Sequence, residues 1–173
     1  KDIKDDDGDI SLSSYKKINN KYFLSDTLDN FSKKNKIKKI DLLMIDVEGN
    51  ELNVLLGAKN LIKMGYVDNI IFEIHSNYVD WKKGLKNTPI IKLLLKNNFY
   101  IYSIRDYHAN KKLRDKIELL DINNTYLKGP THGFNLIATK NKDLILNKNI
   151  LFSKKVYSPK YLFYKSSKKF HYI

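Results

Sequence analysis

The feature that most constrains the fold is the stretch IDLLMIDVEGNELNVLLGAKNLI at residues 40–62, because its apolar pattern changes period within a few positions. Residues 42–45 form a short apolar run, which is typical of a strand buried on both faces in a parallel sheet. From Glu51 onward the apolar residues recur every three or four positions, which predicts a helix over residues 50–63. The stretch therefore predicts a strand, a tight turn and a helix, a unit typical of α/β folds.

Three more apolar segments predict further strands, at residues 70–75, 99–104 and 133–139. Between the first two, a Thr-Pro pair and a later Asn-Asn pair predict the start and the end of a helix over residues 88–97. No helical pattern separates the last two strands, and a strand joined in this way often forms the antiparallel edge of a sheet. We therefore expect an α/β fold with a mostly parallel sheet and an antiparallel last strand.

Length and composition limit the domain organisation and the function classes. A chain of 173 residues, of which 42% are hydrophobic, is long enough for one compact domain. We expect that domain at residues 1–140, followed by a basic, aromatic-rich extension at residues 141–173. The absence of cysteine excludes disulfides and thiol catalysis and fits a cytoplasmic location. No apolar run is long enough to predict a membrane span.

The charge balance raises the question of an anionic partner. The 32 Lys and Arg residues against 19 Asp and Glu residues give a net charge of +13, which ordinarily suggests nucleic-acid binding. Arginine occurs only at Arg105 and Arg114, however, and nucleic-acid grooves rely heavily on the guanidinium fork. The joint abundance of lysine, asparagine and isoleucine indicates a coding bias instead. We therefore expect no nucleic-acid partner, and the sequence leaves the oligomeric state open.

Acidic residues at predicted strand ends are the candidate catalytic groups. Asp46 and Glu48 follow the first strand, and ligands of open α/β sheets bind at the carboxyl ends of the strands. Glu73 and His75 close the next strand and share one face of it. Because a buried carboxylate is costly unless it is paired, we predict a functional cluster in which Asp46, Glu73 and His75 are catalytic. The alternatives are that Asp46 caps the following helix, that Glu48 is solvated and that His75 is structural.

The residues predicted to bind substrate are Glu48, His132 and Trp81. His132 lies on a glycine-flanked loop before the last strand and is expected to reach the same opening. Trp81 follows the second strand and is expected to form a wall for a substrate ring, with simple core filling as the alternative. The catalytic residues include types that ligate metals, but no local pattern fixes such a site, and we predict no metal.

Three motifs in order resemble the FkbM-type methyltransferases. They are TLDNF at residues 27–31, the stretch at residues 40–62, and NIIFEIH at residues 69–75. The resemblance extends over residues 6–76, and the later strands agree only in arrangement. One departure is Met44, where the family commonly has a lysine.

The resemblance implies a Rossmann-like methyltransferase fold and S-adenosylmethionine as the methyl donor. It also implies O-methylation of a hydroxyl on a small-molecule, sugar or glycan-like substrate. In that reaction Asp46 and Glu48 would orient the hydroxyl or contact the donor, and His75 would accept the proton of the hydroxyl.

The resemblance is partial because one expected motif is absent. Related methyltransferases bind the donor with a glycine-rich turn after the first strand and an acid after the second. The sequence has neither, so we expect the cofactor-binding residues upstream and a chain that begins midway through the fold, without its N-terminal half. The alternative function is a non-catalytic basic module that binds nucleic acid or a protein partner on a partial methyltransferase fold.

Overall fold

The structure, a computed structural model, describes residues 14–18, 21–105, 116–128, 132–155 and 158–160. Within these residues the strands are β1 Ser14–Ile18, β2 Lys21–Ser25, β3 Leu43–Ile45, β4 Asn69–His75, β5 Tyr100–Ile104, β6 Ile117–Asp121, β7 Gly133–Thr139 and β8 Ile150–Ser153. The helices are α1 Leu28–Lys34, α2 Glu51–Leu56, α3 Lys59–Lys63 and α4 Pro89–Lys96. None of these helices is long and apolar enough to cross a membrane.

One sheet organises most of the described chain. β1 and β2 pair with each other, whereas the other strands form a six-stranded sheet in the order β3-β4-β7-β5-β6-β8. β3 and β4 are parallel, and β7 lies between β4 and β5, antiparallel to both. The α/β class is therefore confirmed, and the last predicted strand, β7, is antiparallel as expected, but it lies inside the sheet and not at its edge. The predicted parallel relation applies to β3, β4 and β5, while β6, β7 and β8 run in the opposite direction.

Two strands of this sheet were not predicted from the sequence. β6 pairs antiparallel with β5, and β8 pairs parallel with β6. In β6 the adjacent Leu119 and Leu120 are both buried while Ile117 is exposed, so the apolar residues do not alternate as a strand pattern requires. β8 lies within the predicted extension, and that part of the extension joins the main sheet.

The prediction that residues 42–45 are buried on both faces is wrong. Leu43 and Ile45 face the core, but the side chain of Met44 is 72% exposed and that of Leu42 is 54% exposed. These two residues face the opposite side of β3, which is open in the described part of the chain. β3 is also the edge strand of the described sheet, so only one of its sides pairs with a neighbour.

The predicted helix over residues 50–63 is interrupted near its middle. α2 ends at Leu56 and α3 begins at Lys59. The Asp29 carboxylate accepts hydrogen bonds from the backbone N–H groups of Asn60 and Leu61, both at 3.0 Å. An acceptor at these first N–H groups is what a new helix start requires, so Asp29 favours the break.

The core lies between the sheet and the helices α2, α3 and α4. α4 begins at Pro89 after Thr88, as predicted, and buries Ile90, Ile91 and Leu94. The largest fully buried side chains include Leu55, Ile62, Phe72, Ile91, Leu94, Phe134 and Leu136. Because β3 and β4 are parallel, their carboxyl ends open at one edge of this core, and the predicted site residues follow them.

Candidate active site

A strained turn carries the first acidic residues beyond β3. Glu48 has a φ of 52° and Gly49 a φ of 99°, and a positive φ is unusual for a residue other than glycine. The Glu51 carboxylate stabilises this turn, because its Oε1 accepts hydrogen bonds from the N–H of Gly49 at 3.0 Å and of Val47 at 3.4 Å. Glu51 is only 4% exposed. Glu51 lies in the first turn of α2, and its carboxylate thus caps backbone N–H groups of the turn that precedes this helix.

Three carboxylates meet where β3 and β4 approach their ends. One oxygen each of Asp46, Glu48 and Glu73 lies within 4.8 Å of the others. Burial raises the pKa of Glu73 above its ordinary value, and the negative charges of Asp46 and Glu48 raise it further, while Lys160 and His75 oppose these effects. This group of three residues, the acidic cluster, contains two residues predicted from the sequence to act in catalysis and one predicted to bind substrate.

The prediction that two acids after β3 are buried is wrong. Asp46 and Glu48 are both exposed, because the turn after β3 extends into solvent. The desolvation argument applies to Glu73 instead, which is partly buried. Asp46 also does not cap the next helix, whose N-cap residue is Asn50.

A glycine on β7 makes room for the Glu73 carboxylate. Gly133 lies opposite His75 in the antiparallel β4–β7 pair. A Cβ atom added at Gly133 would lie 2.0 Å from Oε1 of Glu73 and 2.3 Å from its Cδ. The carboxylate therefore occupies the space that any larger residue at position 133 would fill. No local pattern indicates this requirement, since the sequence predicts only that Gly133 flanks the His132 loop and begins a strand.

Two histidines and a tyrosine stand beside the acidic cluster. The rings of His75 and Tyr78 are stacked, with centroids 4.4 Å apart, and those of His75 and His132 have centroids 5.6 Å apart. Nδ1 of His132 lies 3.3 Å from the Ser76 hydroxyl oxygen, and the His132 carbonyl accepts from the Ser76 N–H at 2.8 Å. The prediction that His132 shares the opening with His75 agrees with this geometry, while the roles of both histidines stay predictions.

The comparison with protein families identifies the family of the chain. The family model described as Methyltransferase FkbM domain matches residues 2–121, which is more than half of the chain. The chain belongs to the FkbM methyltransferase family. The resemblance carried by the three sequence motifs is therefore confirmed. No curated protein and no solved structure matches the chain significantly.

The family match divides the residues of the site into two groups. The acidic cluster and His75 lie inside the matched residues of this FkbM methyltransferase. His132 and Gly133 lie beyond residue 121, just before β7 and at its first residue. The second group therefore carries the features of the site that the matched motifs do not describe.

Trp81 packs against the core and also lines a small cavity. Its side chain is partly buried and packs against the hydrophobic core, as the core-filling alternative required. It also lines a cavity of about 280 Å³ formed by residues 76–82. The aromatic ring beside His75 is instead that of Tyr78, which is 63% exposed. A substrate-binding role for Trp81 stays a prediction.

A larger cavity in the FkbM domain lies away from these groups. It has a volume of about 820 Å³ and is lined by parts of α1, α2 and β3. Asp26 is its single charged lining residue, and that carboxylate pairs with the Lys34 ammonium at 2.7 Å. Because its described lining offers no unpaired acid or base, this cavity is not the candidate site.

The acidic cluster also has the spacing that a divalent cation requires of its ligands. Three carboxylate oxygens within 4.8 Å of one another can converge on one ion, but exposed acidic groups commonly lie this close without one. His75 does not belong to this group of possible ligands, although an imidazole is a side chain that can ligate metals. The prediction that no metal takes part stays a prediction.

Proposed function

We propose that the protein is an S-adenosylmethionine-dependent O-methyltransferase that acts on a hydroxyl of a sugar or glycan-like substrate. The observation that carries the proposal is the partly buried Glu73, whose pKa is raised beside two further carboxylates at the strand ends. Family membership supports methyl transfer in general. The donor, the acceptor atom and the residue roles are the proposal.

The reaction needs a group that accepts a proton. The hydroxyl oxygen forms a bond to the methyl carbon, the carbon–sulfur bond breaks with its electron pair left on sulfur, and the hydroxyl proton must leave. A carboxylate with a raised pKa holds a proton better near neutral pH than an ordinary one, so Glu73 suits this role. His75, on the same face of β4, is the second candidate base.

The charge of the acidic cluster suits the donor. When bound, S-adenosylmethionine supplies a methyl group on a positively charged sulfonium. Three carboxylates within 4.8 Å of one another concentrate negative charge locally in a chain whose net charge is +13. That field favours a cation over the anions that the rest of the surface attracts.

The surroundings of the cluster suit a carbohydrate acceptor. Sugar hydroxyls donate hydrogen bonds, and Asp46 and Glu48 are exposed acceptors. The exposed ring of Tyr78 offers an apolar face on which a sugar ring can stack. Asp46 would then orient the reacting hydroxyl, and Glu48 and His132 would bind its neighbours. A positioned acceptor lowers the barrier because fewer degrees of freedom are lost during the reaction.

Transfer of a tritium-labelled methyl group from S-adenosylmethionine to an acceptor tests this proposal. The acceptors are a panel of monosaccharides and glycans, and the protein includes any residues that its gene encodes upstream of Lys1. We expect Asp46→Asn and Glu73→Gln each to lower turnover at least tenfold, since a positioned acid–base group contributes a factor of about 10² or more. Asp143→Asn removes an equal charge from an exposed turn and is the control.

Two outcomes would contradict the proposal. Normal turnover in both site variants would show that neither Asp46 nor Glu73 takes part in catalysis. Salt-sensitive oligonucleotide binding with no affinity for the adenosyl donor would favour the alternative, a non-catalytic basic module.

A further inference from the structure

The turn after β4 brings the ring of Tyr78 back onto His75. The Tyr78 N–H donates to the His75 carbonyl at 2.9 Å, which closes the turn. The two rings are stacked, with centroids 4.4 Å apart and planes 25° apart. The ring of His132 is farther from His75, with centroids 5.6 Å apart and planes tilted by 43°. Tyr78 therefore provides the closer aromatic contact of the His75 imidazole.

The same ring lies against Gly49 in the turn after β3. A Cβ atom added at Gly49 would lie 2.5 Å from Cδ2 of Tyr78 and 3.1 Å from its Cε2, and real Cβ atoms essentially never come closer than 3.0 Å. A larger residue at position 49 would therefore displace the ring. Gly49 also has a φ of 99°, so both its backbone conformation and the adjacent ring favour glycine.

These contacts join two segments beyond the reach of the β3–β4 pairing. The paired residues of β3 and β4 end at Ile45 and Phe72, which precede the turn of Gly49 and the end of β4 at His75. Tyr78 contacts both segments beyond that point. Its side chain is 63% exposed, so burial of apolar area contributes little to its effect on stability. The main effect of the ring is therefore on the geometry of the two segments.

We propose that Tyr78 is a positioning residue of the candidate site, whose ring holds the His75 imidazole in one orientation against the turn that follows β3. The segment at residues 46–49 also carries Asp46 and Glu48, two members of the acidic cluster. The ring thus fixes the imidazole relative to these carboxylates. The catalytic meaning of this inference rests on the proposed function, whereas the held orientation of His75 does not.

A held imidazole matters because a side chain at a strand end is otherwise free to turn. Its staggered rotamers differ by about 120° about the first side-chain bond, so a change of rotamer carries the ring nitrogens away from a bound hydroxyl. A displacement of only about 1 Å at a catalytic group can lower the rate about 10²-fold. A neighbouring ring that prevents this rotation therefore raises turnover without touching the reacting atoms.

The decisive experiment determines the χ1 angle of His75 by NMR, from the three-bond couplings to its Cγ. We expect the couplings of a single rotamer in the wild type and averaged couplings in Tyr78→Leu, which removes the stacked ring. Tyr78→Phe keeps the ring and should keep the single rotamer. Tyr100→Leu is the matched control and should leave the His75 couplings unchanged. Tyr100 is also exposed, at 45%, and β7 aligns it with Asn69, at the end of β4 opposite to His75.

A single His75 rotamer in Tyr78→Leu would overturn the inference. If Tyr78→Leu does not fold, the wild type provides the test. Nuclear Overhauser contacts should then connect the Tyr78 ring protons both to the His75 ring and to the Hα protons of Gly49. The absence of either contact would overturn the inference as well.

Methyl-transfer kinetics distinguish positioning from substrate binding alone. If the ring positions His75, Tyr78→Leu should lower kcat at least about tenfold, since the imidazole is then misplaced. A raised KM with an unchanged kcat would assign the ring to substrate binding only and would overturn the inference. The NMR measurements do not require turnover. A His75 rotamer held by Tyr78 in a protein without methyl transfer would therefore refute the proposed function and leave the held orientation standing.

Discussion

Replacement of Gly133 by alanine tests the geometry of the site most sharply. The added Cβ would lie 2.0 Å from Oε1 of Glu73, and contacts under 3.0 Å are essentially never seen for real Cβ atoms. The carboxylate must therefore move by about 1 Å to relieve the overlap. The atoms in conflict are the far end of a flexible side chain, so Glu73 and not the backbone should give way.

The expected cost is small in stability and large in activity. An off-rotamer side chain costs about 0.5–1.5 kcal/mol. Alanine in a strand regains about 0.5–1 kcal/mol over glycine, so the free energy of unfolding should change by less than about 1 kcal/mol. A displacement of about 1 Å at a catalytic group, in contrast, can lower turnover about 10²-fold. Gly133→Ala should thus separate function from folding.

Urea unfolding and the methyl-transfer assay together measure both effects. Gly57→Ala is the control, since its added Cβ would have no contact closer than 3.4 Å. Any unfolding cost of the clash should vanish when Gly133→Ala is made in a Glu73→Ala background, because the conflicting atoms are then gone. Full turnover in Gly133→Ala, or an equal stability cost of at least 1 kcal/mol in both backgrounds, would refute the reasoning.

Three further predictions concern stability. Glu51→Ala should lower the free energy of unfolding by about 1–3 kcal/mol, because it removes the acceptor for two N–H groups of the turn after β3, and unchanged urea unfolding would contradict this. Asp29→Ala should lower the free energy of unfolding by about 0.5–2 kcal/mol, because it removes the acceptor at the start of α3. Asp41→Ala, which removes an exposed ion pair, is the control and should lower that free energy by less. Glu73 has a folded pKa above its ordinary value of 4.5, so the folded state binds more protons between the two values and stability should fall as pH rises through that interval. Urea unfolding at several pH values should show this loss in the wild type, and its persistence in Glu73→Gln would assign it to another group.

The sequence predicted much of the fold because the decisive patterns are local. The apolar runs at β4 and β7 and the Thr-Pro start of α4 were each visible within about ten residues, and all three elements formed. β6 was missed because its buried pair of leucines does not alternate with polar residues. The break between α2 and α3 depends on Asp29, which lies far away in sequence, and no local pattern reveals such a contact.

The site was predictable only in part for a similar reason. Asp46, Glu48 and Glu73 are expected together because they lie at the carboxyl ends of neighbouring parallel strands, and the structure places them together. Gly133 acts from β7, whose place beside β4 depends on the strand order and on the register between the two strands. Its signal is a glycine opposite His75, two residues from Glu73 on β4, which can be seen only once the strand register is known.

The identity of the methylated atom tests the central claim most directly. The protein, with any residues encoded upstream of Lys1, is incubated with S-adenosylmethionine that carries a deuterated methyl group, and the acceptor is analysed by mass spectrometry and NMR. The proposed function predicts a deuterated methyl group on a hydroxyl oxygen of a sugar or glycan, formed together with an equal amount of S-adenosylhomocysteine and strongly reduced in His75→Ala and Glu73→Gln. Transfer to nitrogen or carbon, or no transfer to any hydroxyl while the donor binds, would contradict it.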